Sequence, residues 1–132
     1  MAKILIAEDE PDIQTLIAIT LRHAGHTVVA VSDGLAACEQ AVAVLPDLIV
    51  LDVMMPKLNG YKACQRLRAE PQLQNVPVIF LSVRGMEQEI QEGFAAGAVE
   101  YLVKPFSPLE LNQRVASVLQ KIPPISDSNS KP

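Results

Sequence analysis

The sequence predicts an α/β fold, a single doubly wound (βα)5 domain whose five-stranded parallel sheet carries helices on both faces. Two observations predict it. Four short apolar runs each end in a charged or hydroxyl residue: Ile4-Leu5-Ile6-Ala7 before Glu8-Asp9, Leu48-Ile49-Val50-Leu51 before Asp52, Val78-Ile79-Phe80-Leu81 before Ser82, and Tyr101-Leu102-Val103 before Lys104-Pro105. Apolar runs of this length, bounded by turn residues, read as buried strands of a parallel sheet. Strand and helix patterns also alternate five times, and right-handed crossovers place such helices on both faces.

Each element has its own signal. After Glu8-Asp9, Pro11 suits a first helical turn, and Ile13, Leu16, Ile17, Thr20 and Ala24 recur at helical spacing until Gly25. Thr27 to Val31 is β-branched and reads as the second strand. Asp33 can cap a second helix with Leu35, Cys38, Ala41, Val42 and Leu45 inward, ended by Pro46. The third strand gives way to an irregular loop marked by Pro56, Asn59 and Gly60. A third helix follows with Ala63, Cys64 and Leu67 on one face, and Pro71 and Pro77 bracket the connection to the fourth strand. Met86, Ile90 and Phe94 mark a fourth helix ended by Gly97. Ser107-Pro108-Leu109-Glu110 combines a capping serine, a first-turn proline and a capping-box glutamate, and Leu111, Val115, Val118, Leu119 and Ile122 form the fifth helix's buried stripe. The domain is expected over 1–121, with 122–132 a polar tail or the start of an interdomain linker.

Composition removes several function classes. With 132 residues, 49% hydrophobic and 20% charged, the chain can bury a full core, and its net charge of −4 argues against a general nucleic-acid binder. No apolar stretch approaches the roughly 20 residues a membrane helix needs, and Met1-Ala2-Lys3 leads straight into a strand, so the cytoplasm is the expected compartment. Cys38 and Cys64 lack metal-site spacing and read as small buried hydrophobes; His23 and His26, flanking one turn, read as surface or turn residues.

Ligands of open α/β sheets bind outside the carboxyl ends of the strands. With strands one and three adjacent, Glu8, Asp9 and Asp52 converge there, and three close carboxylates raise one another's pKa unless compensated. Either a hard divalent cation binds the oxygens, for which Mg2+ is suited, or Lys104 neutralises part of the charge. Four separate strand ends supplying matching groups by accident is a weaker explanation than a shared site.

These residues resemble those of response-regulator receiver domains of two-component signalling. The resemblance rests on Glu8-Asp9, Asp52, Ser82 and Lys104-Pro105 at their four strand ends. The stretches Leu51-Asp52-Val53-Met54-Met55-Pro56-Lys57-Leu58-Asn59-Gly60 and Tyr101-Leu102-Val103-Lys104-Pro105-Phe106 are especially close, and the similarity covers about residues 2 to 121. It implies a strand order of 2-1-3-4-5. It further implies that Asp52 is the phospho-acceptor, taking a phosphoryl group from a sensor histidine kinase or phosphotransfer protein. Asp9 and Asp52 would hold Mg2+ directly, the Met54 backbone carbonyl would complete the protein ligands, and Glu8 would act through water. Lys104 would pair with a phosphoryl oxygen, before a cis bond at Pro105. Ser82 would donate its hydroxyl to the bound phosphoryl group, and Tyr101 would then rotate inward as the switch.

Some positions depart from the family. Val83 stands where a smaller residue is usual and narrows the approach to Asp52. Met54, being apolar, cannot orient a water, which implies a long-lived phosphoform; Arg84 either reaches the phosphoryl group or is a solvated loop charge. Val99-Glu100 replaces two acids that join ion pairs across a symmetric dimer of the fourth helix, fifth strand and fifth helix, although Glu110 and Arg114 could still contribute.

Two enzyme-like alternatives share the architecture. An aspartyl-nucleophile hydrolase would need an acid two residues after Asp52, where Met54 stands, and a flavodoxin-like FMN site would be repelled by Glu8-Asp9-Glu10-Pro11-Asp12. The expectation is therefore no turnover enzyme, only self-phosphorylation and slow dephosphorylation. The output would go to a downstream protein partner or a missing output domain, without direct nucleic-acid contact or membrane attachment. An unphosphorylated pseudo-receiver is the alternative.

Overall fold

The computed structural model describes residues 2–83 and 100–121. Five parallel strands, β1 (Lys3–Ala7), β2 (Thr27–Val31), β3 (Leu48–Asp52), β4 (Val78–Val83) and β5 (Glu100–Lys104), form one sheet in the order β2-β1-β3-β4-β5. Around it lie α1 (Pro11–His23), α2 (Gly34–Val44), α3 (Gly60–Arg68), a 3-10 turn (Pro71–Leu73) and a last helix, Pro108–Lys121. The helix expected from Met86, Ile90, Phe94 and Gly97, together with Arg84, Val99 and the polar stretch 122–132, lies outside the described residues.

Alternation along the strands divides the core into two layers. Ile4, Ile6, Leu48, Val50, Ile79, Leu81 and Leu102 face one way and meet Ile17 and Leu21 of α1 and Leu111, Val115 and Val118 of the last helix. Leu5, Ala7, Ile49, Leu51, Val78 and Phe80 face the other way and meet Ala37 and Ala41 of α2 and Ala63, Cys64 and Leu67 of α3. Side chains covered on both faces explain why the central strands read as continuous apolar runs. Each fully buried Leu or Ile contributes about 1.5–3 kcal/mol of transfer free energy.

The expected caps form. Asp33 accepts from the Ala36 amide at 2.8 Å, and Asn59 opens α3 by accepting from Lys62 N at 2.9 Å. In the capping box before the last helix, Ser107 Oγ accepts from Glu110 N at 3.1 Å and Glu110 Oε1 accepts from Ser107 N at 3.0 Å. Gly25 closes α1 at φ 100°, a left-handed conformation that glycine adopts without steric cost.

Two helix faces differ from the sequence reading. On α2 the buried residues are Gly34, Ala37 and Ala41, whereas Leu35, Val42 and Leu45 are exposed and Cys38 is half-buried. The small side chains let α2 sit close to the sheet, and an apolar residue at almost every position left periodicity no contrast to act on. On α1, Leu16 and Ala24 are exposed while Ala18 and Leu21 are buried beside the expected Ile17 and Thr20. Neither cysteine is in a disulfide, and Cys64 is buried as expected.

Candidate functional site

The parallel register brings four strand ends to one edge. β3 ends on Asp52, β4 on Ser82-Val83 and β5 on Lys104, with Asp52 opposite Leu81, Ser82 opposite Val103 and Val83 opposite Lys104. Glu8 follows β1 directly. Carboxylate oxygens of Glu8, Asp9 and Asp52 all lie within 4.8 Å of one another. Glu8 is 0% exposed and Asp52 4%, whereas Asp9 is exposed.

Lys104 is the cation that meets them. Its Nζ lies 3.0 Å from Glu8 Oε1, 3.2 Å from Asp52 Oδ2 and 3.7 Å from Glu10 Oε1. Asp52 Oδ1 accepts from Met54 N at 3.3 Å and Glu8 Oε2 from Glu10 N at 3.1 Å. Burial pushes Glu8 up to about 7, reinforced by the Asp52 charge and opposed by Lys104 and the Glu10 amide. Burial likewise raises Asp52, against Lys104, a hydrogen bond with Glu8 and the Met54 amide. For Lys104 burial favours the neutral amine, but Glu8 and Asp52 outweigh it and hold the pKa above its ordinary value.

This arrangement suits a hard divalent cation. The donors are all carboxylate oxygens, without thiolate or imidazole, which is the set that Mg2+ takes. One lysine against three clustered acids leaves negative charge that a second cation would offset.

Ser82 lies in β4 and Tyr101 in β5, the two strands that end beside Asp52 and Lys104. Ser82 is buried, and among the described residues its Oγ has no hydrogen-bond partner. Tyr101 is half-buried against the α2–α3 layer, and its carbonyl accepts from Arg114 at 2.7 Å. Met54 is 62% exposed and Val83 47%, both at the mouth of the site. The Lys104–Pro105 peptide is cis. Arg114 also lies 3.3 Å from Glu100 Oε1, and Glu110 serves the capping box, so both side chains offered for a dimer have partners within the chain.

Three supporting contacts were not legible in advance. Gln14 Nε2 donates to Glu8 O and Val31 O, both at 2.9 Å, and lies 3.3 Å from Ser32 Oγ. Glu10 reaches Lys104. At Gly60, a Cβ would stand 2.5 Å from Asp52 O. Glu10 and Gly60 stand out in their loops by sequence, but the partners named here come from beyond the adjacent turn.

Among the described residues, no helix is long and apolar enough to cross a membrane. The model of the response regulator receiver domain family matches residues 4–116. The chain is 41% identical over 121 residues to the DNA-binding dual master transcriptional regulator RpaA of Synechocystis sp., covering 92% of this chain and 50% of that protein. It is 41% identical over 119 residues to the alkaline phosphatase synthesis transcriptional regulatory protein PhoP of Bacillus subtilis, covering 90% and 49%. The chain thus spans about half the length of the curated relatives it matches. Among solved structures it superposes on the chemotaxis response regulator CheY4 of Vibrio cholerae with a TM-score of 0.86 at 34% identity, covering 89% of this chain and 98% of that one. It also superposes on the receiver domain of the sensor histidine kinase PA1611 from Pseudomonas aeruginosa, described with a magnesium ion coordinated in its active-site cleft. That match has a TM-score of 0.83 at 34% identity and covers 90% and 98%. Fold, strand-end chemistry and family match agree, and the chain belongs to the response regulator receiver domain family.

Proposed function

We propose that Asp52 accepts a phosphoryl group from a phosphohistidine on a sensor histidine kinase or phosphotransfer protein, with Mg2+ at the acidic cluster, and that the phosphorylated chain switches partner binding. The observation that carries this reading is the buried Asp52 carboxylate, 3.2 Å from Lys104 and clustered with Glu8 and Asp9. A carboxylate oxygen of Asp52 attacks phosphorus, the P–N bond breaks, and the imidazole leaves with its electron pair and is protonated in solution. The product is a mixed anhydride on Asp52.

Asp9, Asp52 and the Met54 carbonyl would hold the ion, with Glu8 acting through water. When bound, Mg2+ offsets charge on the phosphoryl oxygens. Lys104 exchanges its Asp52 contact for a phosphoryl oxygen, and Ser82 donates its hydroxyl. Tyr101 follows into the space vacated beside β4, which remodels the surface of β5 and the last helix. One phosphoryl group is taken per Asp52, and the chain is not a turnover enzyme. Exposed, apolar Met54 offers nothing to orient a hydrolytic water, which supports slow loss of the group. The response passes to a downstream protein or an output domain. Two cysteines outside any disulfide suit the reducing cytoplasm.

The test is phosphorylation of the purified chain by acetyl phosphate with Mg2+, read by intact mass beside Asp52→Asn. One phosphoryl addition that needs Mg2+ and vanishes in the variant is expected. No addition from acetyl phosphate or a panel of phosphohistidine donors, to the parent or to Val83→Ala, would leave a binding module without phosphorylation.

A further inference from the structure

We infer that Gln14 is a positioning residue for the acidic site, a buckle that fixes the main chain of Glu8 and so sets the carboxylates of the loop after β1. The inference rests on the phospho-acceptor reading above, since it concerns how this chain prepares that site for a cation.

The main chain of Glu8 is held on both sides, and its carboxylate has neighbours at both oxygens. Its amide donates to Val31 O at 3.1 Å, and its carbonyl accepts from Gln14 Nε2 at 2.9 Å. One carboxylate oxygen accepts from Glu10 N and the other lies beside Lys104. Gln14 closes the ring, because the same Nε2 also donates to Val31 O at 2.9 Å. A side-chain amide nitrogen carries two hydrogens, and here each meets a main-chain carbonyl, one at the end of β1 and one at the end of β2. The Ser32 hydroxyl at 3.3 Å is a third, longer contact.

This bond set has a purpose that local structure leaves open. Glu10, the residue before α1, makes no side-chain cap, so the turn carrying Glu8, Asp9 and Glu10 has no support from its own helix start. Gln14 supplies it from one turn further along, where its main-chain N–H makes the first helical bond, to Glu10 O at 2.9 Å. Carboxylates that must meet a cation together lose affinity when their backbone wanders, and outer contacts of this kind are commonly worth 10- to 100-fold in metal affinity. Leucine or methionine in this place would keep the helix and the packing and remove both donors.

The experiment compares the parent with Gln14→Met, Gln14→Arg and Asp9→Asn by calorimetric titration with Mg2+ alone, at a temperature where circular dichroism shows each fully folded. Amide hydrogen exchange of Glu8 and Glu10 is followed in the metal-free proteins. We expect Gln14→Met to bind Mg2+ roughly 10-fold more weakly, with faster exchange at both amides. Gln14→Arg, which keeps N–H donors, should recover part of the affinity. Unchanged Mg2+ affinity in Gln14→Met, even with lowered thermal stability, would overturn the inference and leave Gln14 a structural tie only. Should the parent itself bind no Mg2+, or bind it equally after Asp9→Asn, the reading of the site fails and this inference with it.

Discussion

Gly60→Ala tests how tightly α3 is fitted beneath the acceptor strand. A Cβ at position 60 would stand 2.5 Å from Asp52 O, 3.0 Å from Val53 Cα and 3.1 Å from Asp52 C. All three are main-chain atoms, so relief requires moving either α3 or the end of β3. Overpacking of this kind costs about 1–3 kcal/mol. Displacement also weakens the hydrogen bond from Gly60 N to Val53 O, now 3.0 Å, worth about 1 kcal/mol. Alanine returns roughly 0.4–1 kcal/mol by restricting the unfolded chain. The net expectation is a loss of about 1–3 kcal/mol, read as a urea midpoint lower by on the order of 1 M for a domain of this size. Because the shift acts on Asp52 itself, phosphorylation by acetyl phosphate should slow as well. Gly25→Ala is the control: nothing lies within 4 Å of its added Cβ, so it should lose stability only through its φ of 100° and phosphorylate at the parent rate. An unchanged urea midpoint and rate in Gly60→Ala would refute the fit argued here.

Other outcomes follow from the same geometry. Ser82→Ala should leave the stability of the unphosphorylated chain within about 0.5 kcal/mol, because the hydroxyl makes no bond among the described residues; phosphorylation should slow roughly tenfold, as for a lost donor at a developing charge. A large stability loss instead would mean the hydroxyl is structural. Lys104→Ala should cost about 3–5 kcal/mol at neutral pH by leaving Glu8 and Asp52 buried without their cation, and the deficit should shrink as pH falls below about 7 and Glu8 takes up its proton; equal deficits at pH 5 and 8 by urea titration would count against it. Glu8 titrates at about 7 in the folded chain against 4.5 unfolded. Its folded form therefore binds the proton more tightly, so the contribution of Glu8 to metal-free stability is complete below the unfolded value and is lost as pH rises through about 7. Glu8→Gln should flatten that slope. Mg2+ must displace the same protons, so its apparent affinity should fall on acidification from pH 8 to 5.5, by calorimetric titration. Ser107→Ala should cost about 1 kcal/mol through the lost cap.

How much of this could be read beforehand depended on how local the cause was. The strands announced themselves because burial on both sheet faces leaves unbroken apolar runs, and Asp52, Ser82 and Lys104 were visible as the polar residues where those runs stop. The capping box was legible for the same reason, since its two partners are three residues apart. Helix α2 was misread because Ala37 and Ala41 bury as well as leucine does when close approach is the requirement, and Leu35, Val42 and Leu45 remain outside. Gln14 and Gly60 owe their roles to atoms of Val31 and Asp52 that only the folded chain brings near.

The register of the sheet has one further consequence, for how the protein comes into being. Glu8 stands near the start of the chain and Lys104 near the end of β5, with β3 wedged between β1 and β4. No contiguous fragment short of almost the whole sheet contains the complete acidic site. Pairings so distant along the chain form late and slowly in parallel sheets. During synthesis from the N-terminus, Asp52 leaves the ribosome long before Lys104 exists, so a half-made chain holds the acceptor without its counter-charge. Under the phospho-acceptor reading, the complete site therefore depends on β5 having joined the sheet beside β4 and brought Lys104 to Asp52.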